Sequence, residues 1–426
     1  MPLDIVKGSQ WGDEGKANIS YFLMTHYGYQ VHIRLQGGDN AGGTAWVIDR
    51  RTGKLVKIVL HLTPAGIFLE GTTCILAPGV VVNPKSLQEE LIAIQALGYS
   101  TDNLLISSSC PIILPSNLAL DGLDTKGENG TEIGTTKKGI GPTYEYFYGR
   151  KYSISVGDVV RCTHDELRTK LEEGLRVKNL ILREFDRPEV TIDKEYEFLM
   201  TYRPTLAKHV HWDIVGLNHQ YLEDDVPMLG YIAHGSELDI CNGTRPYVTS
   251  SFCTTGAACV YAGIPPQVIR NVYCIIKAYT TRVDSGQSPF PTEIHGDLAE
   301  NLRQRGGEYG ATTGRPRRVG WLDLAQARHA LRMDGVTHLV MTKLDVLNGF
   351  DAIKVCTHYT LPDSNTLDHF APDLAGKLTP HYEEFPGWAS TDDENAKNYV
   401  HFIEESLGHR ISIMSLGPSI DDVAFT

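Results

Sequence analysis

Gly8-Ser9-Gln10-Trp11-Gly12-Asp13-Glu14-Gly15-Lys16 is the stretch that decides the fold. It follows the β-rich run Leu3-Asp4-Ile5-Val6-Lys7 and leads into Ile19-Ser20-Tyr21-Phe22-Leu23-Met24, the layout of strand, glycine-rich loop and helix. Such a loop turns backbone N–H groups toward a phosphate, the helix adds its positive end, and a lysine adds a point charge. An ordinary Walker loop places Ser or Thr directly after the lysine to hold Mg²⁺. Here Ala17 and Asn18 follow Lys16, and two acids, Asp13 and Glu14, lie inside the loop. A carboxylate beside a phosphate is unfavourable unless a metal or a transferable proton lies between them. The loop therefore implies chemistry as well as binding.

Outward from it, short β-rich runs alternate with helical patterns. Strands are expected over Gln30–Leu35, Lys57–Leu62, Cys74–Leu76, Leu104–Ser107, Val272–Ile276, Leu339–Thr342 and Ile411–Met414. Pro84–Leu97 carries apolar residues at helical spacing, with Asn83 placed to cap it. Thr163-His164-Asp165-Glu166 reads as a capping box for a helix through Phe185, and Leu322–Met333 and Glu394–Leu407 also read as helices. This alternation predicts an α/β fold with a central, mainly parallel, twisted sheet flanked by helices. No stretch reads as an interdomain linker, so one large domain over 1–426 is expected. Asp121–Glu132, Asp284–Pro291 and Gly306–Arg318 read as loops of the kind that build a site at strand C-termini.

A formal net charge of −13 argues against nucleic acid as partner, although Lys137-Lys138 and Arg315-Pro316-Arg317-Arg318 form local basic clusters for small anions. The eight cysteines are scattered without a Cys-x-x-Cys pair, which suits reduced thiols in a cytoplasmic enzyme. No apolar run reaches membrane-spanning length, and no signal-peptide core opens the chain.

Three more segments carry chemistry. Gln36-Gly37-Gly38-Asp39-Asn40-Ala41-Gly42-Gly43-Thr44 is a second glycine-rich loop after a strand, either a tight turn or the far wall of a phosphate site. Gly134-Thr135-Thr136-Lys137-Lys138-Gly139 joins hydroxyls, cations and glycines, a mixture that suits a phosphate monoester or a solvated basic turn. Gly310-Ala311-Thr312-Thr313-Gly314-Arg315-Pro316-Arg317-Arg318 sets two threonines beside planar guanidinium forks, which suit a dicarboxylic acid or another phosphate. Finally, Thr342-Lys343-Leu344-Asp345 follows the apolar run His338–Met341 and is similar to the guanine-reading motif of GTP-binding proteins, with the Ser415-Leu416-Gly417-Pro418 loop as a possible wall.

Together these residues resemble the adenylosuccinate synthetase family along essentially the whole chain. The matches are Gln10–Lys16, Asn40-Ala41-Gly42, Leu60-His61-Leu62-Thr63-Pro64-Ala65-Gly66, Gly134–Pro142, Pro246–Ser251, Lys277-Ala278-Tyr279, Pro289–Glu293, Gly310–Arg318 and Thr342–Leu347. The resemblance implies a P-loop-NTPase-like fold and a GTP-dependent, Mg²⁺-dependent ligase that joins L-aspartate to C6 of IMP through a 6-phosphoryl intermediate. It implies Asp13 as the base at purine N1, with Lys16 and His234 as further catalytic groups. Asp13 and the Gly42 backbone would hold the metal. Gly12, Glu14, Gly15, Lys16, Gly42, Thr44, Lys343, Asp345, Ser415 and Gly417 would bind the triphosphate, GTP with ATP as the alternative. Asn40, Thr135, Thr136, Arg150 or Lys151, His234, Thr249, Val283 and Asp284 would bind the purine monophosphate. Thr312, Thr313, Arg315 and Arg317 would grip L-aspartate. Arg150 or Lys151 lies near an arginine that crosses the family's dimer interface, which implies a homodimer.

The chain also departs from the family pattern. Gly43 stands where the family has a histidine that steadies the transferred phosphoryl group, and loss of one such donor typically costs ~3–4 kcal/mol in the transition state. Asp39, Asn18, Lys137, Lys138, His234 and Asp284 replace other usual residues, and Gln287-Ser288 reads as an insertion. These changes leave three readings open. One is a normal IMP enzyme. A second has His234 replacing the missing acid and Asp284 accepting from a 2-amino group, as in phage-type enzymes that use dGMP. A third is a noncatalytic nucleotide-binding paralogue.

Overall fold

The computed structural model describes residues 3–123, 133–283, 286–310 and 314–426. In chain order the strands are β1 Leu3–Gly8, β2 Val31–Gly37, β3 Gly43–Ile48, β4 Leu55–Leu60, β5 Thr73–Val80, β6 Leu104–Ser107, β7 Val210–His211, β8 Met228–Gly235 and β9 Ile269–Lys277. They continue as β10 Tyr279–Arg282, β11 Arg318–Asp323, β12 His338–Thr342, β13 Ala352–Thr360, β14 Thr366–Leu367, β15 Thr379–Pro386, β16 Ile411–Ser415 and β17 Val423–Phe425. Ten of them form one sheet in the order β17-β16-β12-β9-β1-β8-β2-β5-β6-β7. Every pair is parallel except β16–β17 at one edge. β1 and β2 are buried along their whole length, and that burial includes the polar side chains Asp4 and Lys7 of β1 and His32, Arg34 and Gln36 of β2.

Helices cover both faces. Helix α1, Lys16–Tyr27, packs Ile19, Phe22, Leu23 and Met24 against Val6, Ile275, Val340 and Ile413 of the sheet. The other face buries Leu3, Ile5, Ile33 and Ile75 with Ala257, Ala258 and Tyr261 from helix Ala257–Ala262. A second sheet, β10-β11-β13-β14 with β15 on β13, packs beside the C-terminal half, and β3–β4 forms a hairpin over α1.

All seven expected strands form, most of them longer than expected. The hairpin strand starts two residues earlier and ends at Leu60, because Leu62 and Thr63 turn their N–H groups to Glu90. The expected helix Leu322–Met333 begins only at Leu324. Leu322 and Asp323 complete β11, and the Asp323 carboxylate caps the helix by accepting from Gln326 N at 3.0 Å. Helix Glu394–Leu407 matches the expectation. The carboxyl ends of β1, β2, β8, β9, β12 and β16 lie along one edge of the sheet, where an open α/β fold places ligands.

Candidate active site

The loop after β1 is built around Glu14. Its buried carboxylate accepts from Gln10 N (3.0 Å) and Gly12 N (2.9 Å) and holds Lys16 Nζ at 2.6 Å. The space is tight: a Cβ on Gly8 would lie 2.1 Å from Glu14 Oε2, and one on Gly235 would lie 2.2 Å from the Gln10 carbonyl oxygen. The Glu14 carboxylate is therefore engaged by the loop itself and fixes its shape. Burial opposes a charge on Lys16, but the Glu14 carboxylate outweighs it and raises the ammonium above its usual range. An ammonium has three donors, so two remain for phosphate oxygens. Gly12 and Gly15 hold φ of 90° and 85°, and Asp13 between them is left-handed at 62°. A left-handed Asp is uncommon and marks a side chain aimed by the backbone.

Asp13 Oδ2 lies 2.9 Å from Arg317 Nε, in an ion pair without hydrogen-bond alignment. Arg317 Nη1 donates to Glu308 Oε2 at 2.7 Å. The same carboxylate receives Tyr279 OH at 2.6 Å, Lys343 Nζ at 3.0 Å and Lys277 Nζ at 3.2 Å. Burial alone would raise the Glu308 pKa, but its three cations hold it well below the usual carboxylate range. Burial pushes Lys277 down to about 8 despite Glu308. Arg315 is exposed, and its carbonyl oxygen accepts from Gly310 N at 2.8 Å. Thr312 and Thr313 lie outside the described residues.

The Thr342–Asp345 motif sits where expected, at the end of β12. Thr342 Oγ1 donates to the Glu14 carbonyl oxygen at 3.0 Å, which ties the motif to the phosphate loop. Lys343 is left-handed (φ 62°), donates its N–H to Ser415 O at 2.9 Å, and anchors Nζ on Gly306 O at 2.6 Å. Asp345 Oδ1 is shielded and has no hydrogen-bond partner, and burial raises its pKa. Guanine N1–H and the 2-amino group are donors of the kind that such an oxygen lacks. Ser415 Oγ donates to Gly417 O at 3.2 Å, and Asn18 Nδ2 to Ser419 O at 3.2 Å, so α1 and the β16 loop close on the motif.

On the other side of β1, the chain after β2 meets the end of β8. Asn40 Oδ1 accepts from Gly38 N at 3.3 Å, and its Nδ2 lies 3.4 Å from His234 Nε2. His234 is left-handed (φ 65°), and its buried Nδ1 has no partner. Burial, with Lys16 and Arg34 nearby, lowers its pKa to about 3, so at neutral pH it offers one N–H rather than a charge. A Cβ on Gly42 would lie 3.2 Å from the His61 ring, which brings Gly42 and Thr44 over the start of β3. Thr135 Oγ1 donates to Asp121 Oδ1 at 2.5 Å, and Gly139 N to Asp121 Oδ2 at 2.7 Å. Thr136 is exposed beside them, and Thr249 is half-buried with its N–H on Leu238 O at 2.9 Å. Val283 is exposed, Asp284 lies outside the described residues, and Arg150 and Lys151 are exposed after helix Ile140–Tyr148.

Among the described residues no group of three or more His, Cys, Asp or Glu could hold a metal ion. Asp13 and the Gly42 carbonyl would supply only part of a Mg²⁺ ion's oxygen set, so such an ion would take most of its ligands from phosphates and water. The chemistry-bearing residue that sequence reasoning missed is Glu308. It lies inside a loop already singled out, but only the fold shows that it gathers Lys277, Tyr279, Arg317 and Lys343.

Residues 5–424 match the profile of the family described as adenylosuccinate synthetase. The chain is 41% identical to the adenylosuccinate synthetase of Streptococcus gordonii over 98% of its length and 96% of that protein's. It is likewise 41% identical to that of Thermodesulfovibrio yellowstonii, over 99% and 98%. The solved structure of fully ligated adenylosuccinate synthetase from Plasmodium falciparum superposes with a TM-score of 0.89 at 30% identity, covering 100% of this chain and 99% of that one. The succinoaminodeoxyadenylate synthetase of cyanophage S-2L, bound to dGMP and dATP, shares the fold alone, with a TM-score of 0.65 at 18% identity over 100% of this chain and 95% of that one. No helix among the described residues is long and apolar enough to cross a membrane.

Proposed function

The chain belongs to the adenylosuccinate synthetase family of C–N bond-forming ligases, which join L-aspartate to IMP using GTP, and from that premise we propose how its own residues run the reaction. The observation that carries the reading is a single run of contacts, Asp13 to Arg317 to Glu308 to Lys343, that joins the phosphate loop, the guanidinium loop and the base reader.

Asp13 takes the N1 proton of IMP. The electron pair moves to O6, which attacks the γ-phosphorus of GTP and releases GDP. The amine of L-aspartate then adds at C6 and the 6-phosphate leaves, taking O6 with it. Lys16 holds phosphate oxygens with its two remaining donors, and Mg²⁺, when bound, neutralises charge on the phosphates. Asn40, Thr135, Thr136 and Thr249 hold the nucleotide and its 5′-phosphate, Val283 and Asp284 border it, and His234 donates near the purine 6-position. Arg315 and Arg317, with Thr312 and Thr313, grip the carboxylates of L-aspartate. Lys343 and Asp345 read guanine in preference to adenine, walled by Ser415 and Gly417.

One domain over 1–426, a homodimer that shares Arg150 or Lys151 across its interface, and a cytoplasmic location complete the reading. The test is a mass-spectrometric product assay with L-aspartate and Mg²⁺, each of GTP and ATP, and IMP, dIMP, GMP and dGMP in parallel. Adenylosuccinate from IMP with GTP supports the reading. Product only from GMP or dGMP would move the substrate to a 2-aminopurine, and no product from any acceptor would leave a noncatalytic paralogue.

A further inference from the structure

We propose that Glu308 is a positioning residue that couples the L-aspartate grip to the base reader, so that binding at either site strengthens binding at the other. The inference rests on the assignments of Arg317 and Lys343 given above. Glu308 follows helix Gly296–Gly306 and is fixed through its backbone: its N–H donates to Arg303 O and its carbonyl accepts from Arg317 N, both at 2.9 Å. Its carboxylate is fully buried. One oxygen holds Arg317 Nη1 at 2.7 Å, and the other holds Lys343 Nζ at 3.0 Å, Lys277 Nζ at 3.2 Å and Tyr279 OH at 2.6 Å. Gly306 permits this approach, since a Cβ there would lie 2.3 Å from Tyr279 OH, and its carbonyl takes a further bond from Lys343 Nζ at 2.6 Å.

Three cations converge on one acid. Without its negative charge they would repel one another, and Lys343 and Arg317, the two that retain some exposure, would swing toward solvent. Each long cationic side chain loses rotamer entropy when it is ordered. A carboxylate on Arg317 and a purine on the Lys343 stem both require the rotamers that Glu308 sets. A ligand that fixes Arg317 or Lys343 on its own Glu308 oxygen also fixes the carboxylate plane on which the other cation sits, so the second ligand meets less residual disorder, which is positive linkage and is reciprocal.

The experiment compares wild type and Glu308→Gln as full-length proteins, with β,γ-imido-GTP, Mg²⁺ and L-aspartate as calorimetric probes beside steady-state kinetics. In wild type, β,γ-imido-GTP should tighten L-aspartate about 5-fold or more, and L-aspartate should tighten the GTP analogue by the same factor. In Glu308→Gln, KM for L-aspartate and for GTP should both rise about 10-fold, KM for the purine monophosphate should stay within about 2-fold, and the linkage should vanish. Absent linkage in wild type, a rise in one KM alone, or a rise in all three KM together would overturn the proposal. Should Glu308→Gln fail to fold, Tyr279→Phe removes one hydroxyl from the same carboxylate. It should move the two KM values together and weaken the linkage, and unchanged linkage there would overturn the proposal. A wild type that makes no succinylated product fails the functional reading itself, whereas an active wild type with independent sites fails only the coupling.

Discussion

A Cβ on Gly43 would lie 2.7 Å from the Cβ of Ala17, closer than real Cβ atoms come. The bare backbone at position 43 is therefore part of how the loop after β2 packs on the first turn of α1. The chain has matched the two sites to each other, and a side chain cannot simply be restored at one of them. The Tyr231 hydroxyl stands 3.9 Å from the same point, on the adjoining strand.

Gly43→Ala alone should lower stability by about 1–3 kcal/mol through overpacking. Ala17→Gly alone should cost about 1 kcal/mol through lost helix propensity. The double variant should be more stable than the sum of the two predicts, because loss of the Ala17 methyl makes room for the one added at position 43. Denaturant unfolding of all four proteins measures that coupling, and strict additivity would show that the two positions do not touch.

Asp13→Asn keeps a residue that tolerates the left-handed backbone but removes the base. Product formation should fall about 100-fold to 10,000-fold, with the melting temperature near wild type. Activity within a few-fold of wild type would place the base elsewhere.

Asp345→Asn exchanges an acceptor for a donor against guanine. kcat/KM with GTP should fall by on the order of 1,000-fold or more, and xanthosine triphosphate, which offers an acceptor at the 2-position, should recover much of it. Equal losses with both triphosphates would mean that Asp345 shapes the loop rather than reads the base.

Behind the loop, His329 Nδ1 pairs with the buried Glu237 at 2.8 Å. Burial alone would lower the imidazole pKa, but Glu237 and Asp334 outweigh it, with Arg332 opposing, and the folded value lies above the usual one. The folded state thus binds the proton more tightly than the unfolded chain. The stability this gives is fully present below about pH 6.5 and is lost as pH rises through the folded pKa. The melting-temperature gap between wild type and His329→Gln should therefore be larger at about pH 6 than at about pH 9. A gap that is flat or grows with pH would contradict the pairing.

The sheet was legible because most of its strands contain short runs of apolar residues that alternate with helical patterns, and Leu104–Ser107 forms over its expected span. β8 was not expected. Gly230 and Gly235 interrupt its run, and their reason is spatial: a Cβ on Gly230 would lie 2.7 Å from Ile5 Cδ1. Asp13, Lys16, Lys343 and Asp345 could be singled out because each sits in a short motif directly after a strand, and the fold brings the two motifs together through Thr342 Oγ1 and the Glu14 carbonyl oxygen. Glu308 was not, because its partners lie at positions 277, 279, 317 and 343 and meet only when β9, β10, β11 and β12 are in place. The role of Glu14 as the loop's own support was hidden for the same reason: its neighbours Gly8 and Gly235 belong to two strands that are adjacent only in the sheet.

The most direct measurement follows the oxygen. IMP labelled with ¹⁸O at position 6, turned over with GTP, L-aspartate and Mg²⁺, should yield inorganic phosphate carrying one ¹⁸O atom and an unlabelled succinylated nucleotide, because O6 attacks phosphorus and then leaves as phosphate. Unlabelled phosphate, or label retained in the nucleotide, would contradict the 6-phosphoryl route and with it the role given to Asp13.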